Sequence, residues 1–412
     1  MKGHLLAIGL LCSFPASAAD LAIVGARIHA APDAETIERG TVLVRDGRIA
    51  AVGPVDQVPV PDTALIIDGD GRALTAGFWN SHVHLMTPPL LEAASRPAAE
   101  LDAELEGMLT RWGFTTVFDI GSFNDAPAAL QRRIEAGELA GPDILYVGTP
   151  FYPVDNMPIY IRDLVASLGV PDTNTASPEE AGARAERQLA AGTDGVKLFA
   201  GSIVGGEAGV LPMEVDIVAA AVDAAHRHGK PAFSHPTDAA GLDVSVAAGV
   251  DVLSHTTPTT GPWDEALVAR LRDADIALTP TLTLFEAELR REQAPEEVVE
   301  TFLTNATQQL RVFAAAGGPV LFGTDVGYIA EVDTRREFEL MERAGMDWRA
   351  ILASLTTVPA GRFGQAGEKG RIAPGMQADL VLLGNDPADA VTAFADVELT
   401  IRSGDVLYSR GH

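Results

Sequence analysis

Two histidines stand one residue apart in Gly77-Phe-Trp-Asn-Ser-His-Val-His-Leu85, directly after the apolar stretch Ala73–Ala76. That stretch reads as the approach to a buried strand. Side chains on a strand alternate between faces with period two, so His82 and His84 point the same way. Both Nε2 atoms can then reach one metal ion at about 2.0–2.1 Å. Four more residues able to bind or bridge metal follow in order: Lys197 in Asp194-Gly-Val-Lys-Leu-Phe199, His235 in Ala232-Phe-Ser-His-Pro236, His255 in Val252-Leu-Ser-His-Thr256, and Asp325 in Val320-Leu-Phe-Gly-Thr-Asp-Val326. Each lies at or just past the end of a short apolar run with strand character, followed by loop residues and a helix-like segment.

The elements around them alternate. Helix-like, Ala-rich stretches at Glu179–Ala191, Val215–His228, Trp263–Asp275 and Glu296–Ala316 each precede an apolar run, and Gly113–Gly121 reads as a second strand. Such alternation predicts an α/β fold with a parallel sheet. Over residues 74–365 it fits a (β/α)₈ TIM barrel, in which residues at the C-terminal ends of several strands converge on one face. Both ends of the chain are strand-rich, and Asp46-Gly47 between two alternating runs is a hairpin signal. Residues 19–73 and 366–412 therefore read as one small β module built from both termini. Residues 149–177 and 201–213 have no clear place in the alternation and follow strands, so they are expected over the active face as substrate loops.

The ordered set, His-x-His on the first strand, Lys on the fourth, His on the fifth and sixth and Asp on the eighth, resembles the amidohydrolase superfamily. It is most similar to the imidazolonepropionase-like branch, whose Lys-containing members include Xaa-Pro dipeptidase-like enzymes. The resemblance covers nearly the whole chain beyond its first residues. It implies that the terminal module is a composite β-sandwich, with Ile372-Ala-Pro-Gly-Met-Gln-Ala-Asp-Leu380 resembling its signature. It also implies two divalent ions, for which zinc suits imidazole and carboxylate donors. Lys197, carboxylated by carbon dioxide, would bridge them. His82, His84 and Asp325 would hold the more buried ion, and His235 and His255 the other.

Water held by such ions has its pKa lowered toward about 7, and Asp325 would take its proton and pass it to a leaving nitrogen. The expected reaction is hydrolysis of an amide bond in a dipeptide or N-acyl amino acid. A lactam, lactone or phosphotriester hydrolase on the same centre is the alternative within enzymes. A non-catalytic secreted metal-binding protein is the alternative outside them, and chelator-sensitive hydrolysis separates the two classes.

Other residues have competing readings. His235 and His255 also suit satisfied core histidines, and Asp325 a turn cap. Lys197 pairing with Asp194 or Asp119 would leave a mononuclear centre. Asp119, at the end of the second strand, is expected to orient a ligand histidine or to be a buried structural acid. Tyr152, Tyr160, Arg162 and Tyr328 are candidate substrate contacts. His226 and His228 form a second His-x-His, but on a helix i and i+2 do not share a face, so they read as surface residues. His29 reads as structural.

Residues 1–18 have a short basic start, an apolar core and Ala16-Ser17-Ala18, the pattern of a cleaved secretory signal. The expected location is secreted or periplasmic. Cys12, the only cysteine, lies inside that segment, so the remaining chain must be stable without disulfides. A formal charge of −27 argues against nucleic acid or an anionic membrane surface as partner. A small molecule or short peptide is the expected partner, with a homo-oligomer compatible but unsigned.

Overall fold

The structure is a computed structural model describing residues 20–122, 125–154, 156–168 and 174–411. The expected secretory signal lies outside the described residues. Among them, no helix is long and apolar enough to cross a membrane.

Strands from both ends of the chain join in one sheet. Its order runs Asp405–Ser409, Val397–Arg402, Leu380–Leu383, Ala73–Ala76, Leu21–His29, Ile37–Arg45, Arg48–Pro54, with Leu65–Asp68 also paired to Leu21–His29. The joint is the antiparallel pair Leu382↔Leu74. The hairpin signal is met: Arg45 pairs with Arg48, and Asp46 and Gly47 both take positive φ, 49° and 73°, as a two-residue turn matched to strand twist requires. One face buries Ile23, Ile28, Leu74, Leu380 and Ile401. The strands pair as one continuous sheet.

Ala73–Ala76 belongs to that sheet, and a separate strand, Phe78–Val83, carries His82. Gly77 is the joint between them. A Cβ there would lie 2.2 Å from Thr115 Oγ1, so only glycine lets the chain pass from one sheet to the other this closely. Residues 74–76 thus pair within the sheet shared by both ends of the chain.

Two sets of parallel strands follow. One comprises Phe78–Val83, Phe114–Asp119 and Asp143–Tyr146; the other Val196–Leu198, Ala232–Ser234, Val252–Ser254 and Ala277–Thr279. Nearly every residue in them is buried, which suits strands covered on both faces. Backbone bonds tie neighbouring segments to the sets: Phe151 N–H to Lys197 O at 2.8 Å in the second, and Ser81 N–H in the first to Phe322 O at 2.8 Å. Residues 319–326, read as the eighth strand, form only isolated bridges, Leu278↔Val320 and Val83↔Val326.

The helices predicted from composition form nearly where expected, at Pro178–Ala190, Val215–Arg227, Glu265–Asp273 and Glu296–Ala315. Ser177 and Asp264 cap two of them by accepting from the Glu180 and Leu267 amides. Phe118, Val147, Phe233, Val252, Ala277 and Leu321 meet in one apolar cluster. Truncating Phe233 there would cost about 3–5 kcal/mol. The stretch 201–213 is an antiparallel hairpin, Gly201–Gly205 with Gly209–Pro212, and 149–177 contains the helix Arg162–Leu168.

Candidate metal centre

The chain ends its parallel strands in a run of polar residues that the apolar interior would not otherwise admit. His82 is the fifth residue of Phe78–Val83, and His84 follows that strand. Lys197 is the central residue of Val196–Leu198, while His235 and His255 each come directly after their strands. Asp325 is held by its amide against His82 O at 2.9 Å. All six are brought together.

His84 Nε2 lies 2.9 Å and His82 Nε2 3.3 Å from Asp325 Oδ1, and His255 Nε2 lies 3.8 Å from Asp325 Oδ2. The His235 ring is 4.7 Å from that of His255. His82, His255 and Asp325 have donor atoms within 4.8 Å of one another, a spacing that can hold a metal ion.

The donor chemistry fits a cation. His84 Nδ1 is 2.9 Å from the carbonyl oxygen of Gly121; a carbonyl only accepts, so Nδ1 carries the ring proton and Nε2 turns its lone pair toward Asp325. With a neutral ring, acceptor then faces acceptor, which a cation between them would satisfy. Without one, Asp325 outweighs burial and raises the His84 imidazole above its ordinary range, and a second ring proton takes that place. Although these groups are in contact, Asp325 Oδ1 and both ring nitrogens of His82 are buried and lack a well-aligned hydrogen bond. Orphaned buried polar atoms of this kind cost about 1–3 kcal/mol each, a cost that metal coordination removes.

Charge states follow from burial. Burial drives the imidazoles of His235 and His255 well below their ordinary range, and His82 to about 3. All three are therefore neutral ligands. Burial pushes the Asp325 carboxyl up, but the neighbouring His82 and His84 outweigh it and hold the carboxyl well below its ordinary range. Lys197 is 2% exposed, and burial lowers its amine to about 7. Neither alternative partner reaches it: Asp194 pairs with Lys230 at 2.8 Å, and Asp119 is occupied as described next. Among the described residues no carboxylate lies within ion-pair distance of Lys197.

Asp119 acts at one remove. Its carboxylate accepts from Ser122 Oγ, from the Gly121 amide at 3.1 Å and from the Leu85 amide at 3.2 Å. It therefore sets the backbone that presents Gly121 O to His84, without touching the ring. Strain is concentrated here. His255, Asp325, Thr281 and Thr237 all take positive φ, at 78°, 63°, 45° and 61°, each costing about 1–3 kcal/mol for a residue with a Cβ. Gly327 is forced: a Cβ would lie 1.7 Å from His84 O.

The six residues open on a cavity of about 300 Å³ whose wall includes Tyr152, Tyr160 and Tyr328. Arg162 is different: it is exposed, donates to Met157 O at 2.9 Å and stays outside the wall. Much of the opposite wall comes from a helix that the sequence reading passed over, Leu282–Arg291, through Leu284, Phe285, Glu288 and Leu289. Its only advance signal was an apolar run after a strand. His226 and His228 sit on the surface, paired with Asp251 and Glu186. His29 bonds Asp386 in the terminal sheet.

A profile of the amidohydrolase family matches residues 73–407. The chain belongs to the amidohydrolase family. Among its relatives, a dihydroorotase of Mycobacterium tuberculosis is 35% identical over 107 residues, 25% of this chain and 23% of that protein. An imidazolonepropionase of Symbiobacterium thermophilum is 48% identical over 58 residues, 13% of each chain. The chain thus aligns with under a quarter of the length of these curated relatives. Solved structures agree over far more of it. A candidate prolidase from Bifidobacterium longum superposes with a TM-score of 0.79 at 26% identity, covering 95% of both chains. A Xaa-Pro dipeptidase with bound methionine reaches a TM-score of 0.80 at 20% identity, covering 95% of this chain and 100% of the other. The second likeness is one of fold; the first joins fold and sequence in this amidohydrolase.

Proposed function

We propose that this amidohydrolase is a metal-dependent hydrolase of carbon–nitrogen bonds that cleaves the amide of a dipeptide or N-acyl amino acid. The observation that carries this reading is that His82, His84, Asp325, His235, His255 and Lys197 face one cavity, with Asp325 Oδ1 and both ring nitrogens of His82 buried and short of hydrogen-bond partners. Similarity to a candidate prolidase supports the dipeptide class. In this reading the two parallel strand sets and residues 319–326 close into one (β/α)₈ barrel, with a composite domain from both termini beside it, and residues 1–18 direct export.

His82, His84 and Asp325 would hold one divalent ion, His235 and His255 the other, and carboxylated Lys197 both; zinc suits these donors. When bound, such ions supply an activated water and polarise the carbonyl it attacks. The protein's own groups do the rest. Asp325, anionic and strained toward the cavity, accepts the water's proton at a carboxylate oxygen and returns it to the departing amine nitrogen. The apolar wall of Leu284, Phe285 and Leu289 excludes water from the scissile bond and seats the substrate's carbon skeleton. Tyr160 and Tyr328, with rings 5.6 Å apart, flank it.

The test is hydrolysis by the mature chain, reconstituted with zinc and bicarbonate, of dipeptides, N-acyl amino acids, lactams, lactones and phosphotriesters. Chelator-sensitive cleavage confined to the linear amides is expected. Turnover of lactones or phosphotriesters alone would overturn the substrate class, and no turnover of any substrate would favour a non-catalytic metal-binding protein.

A further inference from the structure

Thr281 stands directly before the helix Leu282–Arg291, where a threonine hydroxyl ordinarily caps the first turn. It makes no such bond. Its Oγ1 instead lies 2.6 Å from Nδ1 of His255, and its backbone is turned to φ 45°. The amides of that first turn are buried and need another acceptor. Glu337, on the helix Arg335–Arg343, supplies it. One carboxylate oxygen accepts from the Leu282 amide at 2.8 Å, and the other from the Thr283 amide at 2.7 Å and the Thr283 hydroxyl at 2.8 Å. Glu337 is 1% exposed. A carboxylate that deeply buried is retained only where its donors are in place. The two helices are locked further by Arg336, which donates to Glu286 at 2.7 Å.

We infer that Glu337 is a positioning residue for His255: by capping the Leu282–Arg291 helix from outside, it frees the Thr281 hydroxyl to orient the imidazole. For Nε2 to offer a lone pair to the Asp325 side, the ring proton must sit on Nδ1 and be donated to Thr281 Oγ1. The Thr281 backbone holds that oxygen in place only while the next two amides are gripped. Glu337 thus acts on His255 through three residues it contacts or abuts, with no atom of its own in the centre. The inference rests on the proposed role of His255 as a metal ligand.

The experiment compares wild type, Glu337→Gln, Thr283→Val and Thr281→Ser as full mature chains. An amide in place of the carboxylate turns a donor toward one of the two N–H groups, so Glu337→Gln loses an acceptor. It is expected to weaken one of two bound Zn²⁺ ions about tenfold to a hundredfold while the other stays within about twofold. The visible absorption of the Co²⁺-substituted protein should change with it, and kcat should fall more than KM rises. Thr283→Val, which removes one of three donors, should move the same ion in the same direction by less, and Thr281→Ser should resemble wild type.

A Glu337→Gln protein with lowered Tm but unchanged affinities and Co²⁺ spectrum would overturn the inference. Should that variant not fold, unchanged metal affinity in Thr283→Val would overturn it instead. Imidazole ¹⁵N shifts of the metal-free chain separate this from the proposed function. A Nδ1–H tautomer at His255 in wild type and a mixture in Glu337→Gln supports the positioning role even if no amide is ever cleaved. The same tautomer in both rejects it.

Discussion

Among the described residues of this amidohydrolase two lysines are buried, and their surroundings are opposite. Lys369 is 6% exposed and lies where the terminal sheet meets the parallel strands. It donates to Asp379 at 2.9 Å, to Thr116 Oγ1 at 3.0 Å and to Asp143. Burial pushes its amine down, but the two carboxylates outweigh that and hold it above the ordinary lysine range. Lys197 is 2% exposed, lies among imidazoles and has been driven down to about 7. A buried charge is retained where every donor is matched, and a buried amine without a carboxylate partner gives up its proton. Lys369 is therefore a fastener between two parts of the molecule, whereas the Lys197 amine can lose its proton near neutral pH.

The largest effect that can break this contrast is on catalysis. Asp325→Asn removes the proton acceptor while keeping the volume, and kcat/KM for the amide substrate should fall by about 10²–10⁴. Lys197→Ala should fall at least as far and lose one or both ions. Neither should move the urea midpoint as much as a change at Lys369. A Lys197→Ala enzyme that keeps two tightly held ions and full activity would show that the two lysines are alike after all.

Stability should respond the other way. Lys369→Met leaves Asp379, itself 4% exposed, as a buried charge without its partner, so unfolding free energy should drop by about 3–5 kcal/mol. Turnover of the folded protein should stay within about twofold, because Lys369 does not line the cavity. A urea titration and a rate on the same sample measure both. Loss of activity at constant stability would place Lys369 in the active centre and end the comparison.

The convergence of the six candidate ligands was legible because each lies at or near the end of a short apolar run, and the strand ends of parallel sheets share a side. The helices were legible for a similarly local reason, their Ala-rich composition between apolar runs. What escaped depends on partners distant in sequence. Ala73–Ala76 looks like the start of the His82 strand until Leu380–Leu383 is seen to pair with it. Residues 319–326 have strand composition but are held by single bridges. Asp119 reads as a partner for a histidine ring, yet it reaches His84 only through the Gly121 backbone. The grip of Glu337 on Leu282 spans 55 positions, and no period or motif encodes it.

The lowered amine of Lys197 makes a pH prediction. A carbamate forms only from the neutral amine, which for a group titrating near 7 predominates at pH 8 and is the minority at pH 6. An ordinary lysine would be almost wholly protonated at both. At fixed dissolved carbon dioxide, metal-free protein should regain activity on adding zinc roughly tenfold faster at pH 8 than at pH 6, following the fraction of neutral amine. A regain independent of carbon dioxide would remove the carbamate from the mechanism.

The smallest effect concerns how far the contrast extends into the substrate cavity. Among the described residues Lys197 is the only lysine or arginine in the wall, and the acidic groups beyond the metal set are Glu288 and Glu292. Glu288 is held 2.5 Å from Arg291, and Arg291 donates to the Tyr328 hydroxyl at 3.4 Å. A free carboxylate on the substrate, if it pointed toward this helix, would meet Glu288 before it met Arg291. Glu288→Gln removes that repulsion and releases the guanidinium. At a partly solvated site the gain is about 1 kcal/mol. kcat/KM for an N-acyl amino acid should therefore rise about threefold to tenfold relative to its carboxamide, mostly through KM. Arg291→Gln should move the ratio the other way. An unchanged ratio in both variants would mean that the substrate carboxylate turns away from this helix, toward the ions that the histidines, Asp325 and carboxylated Lys197 would hold.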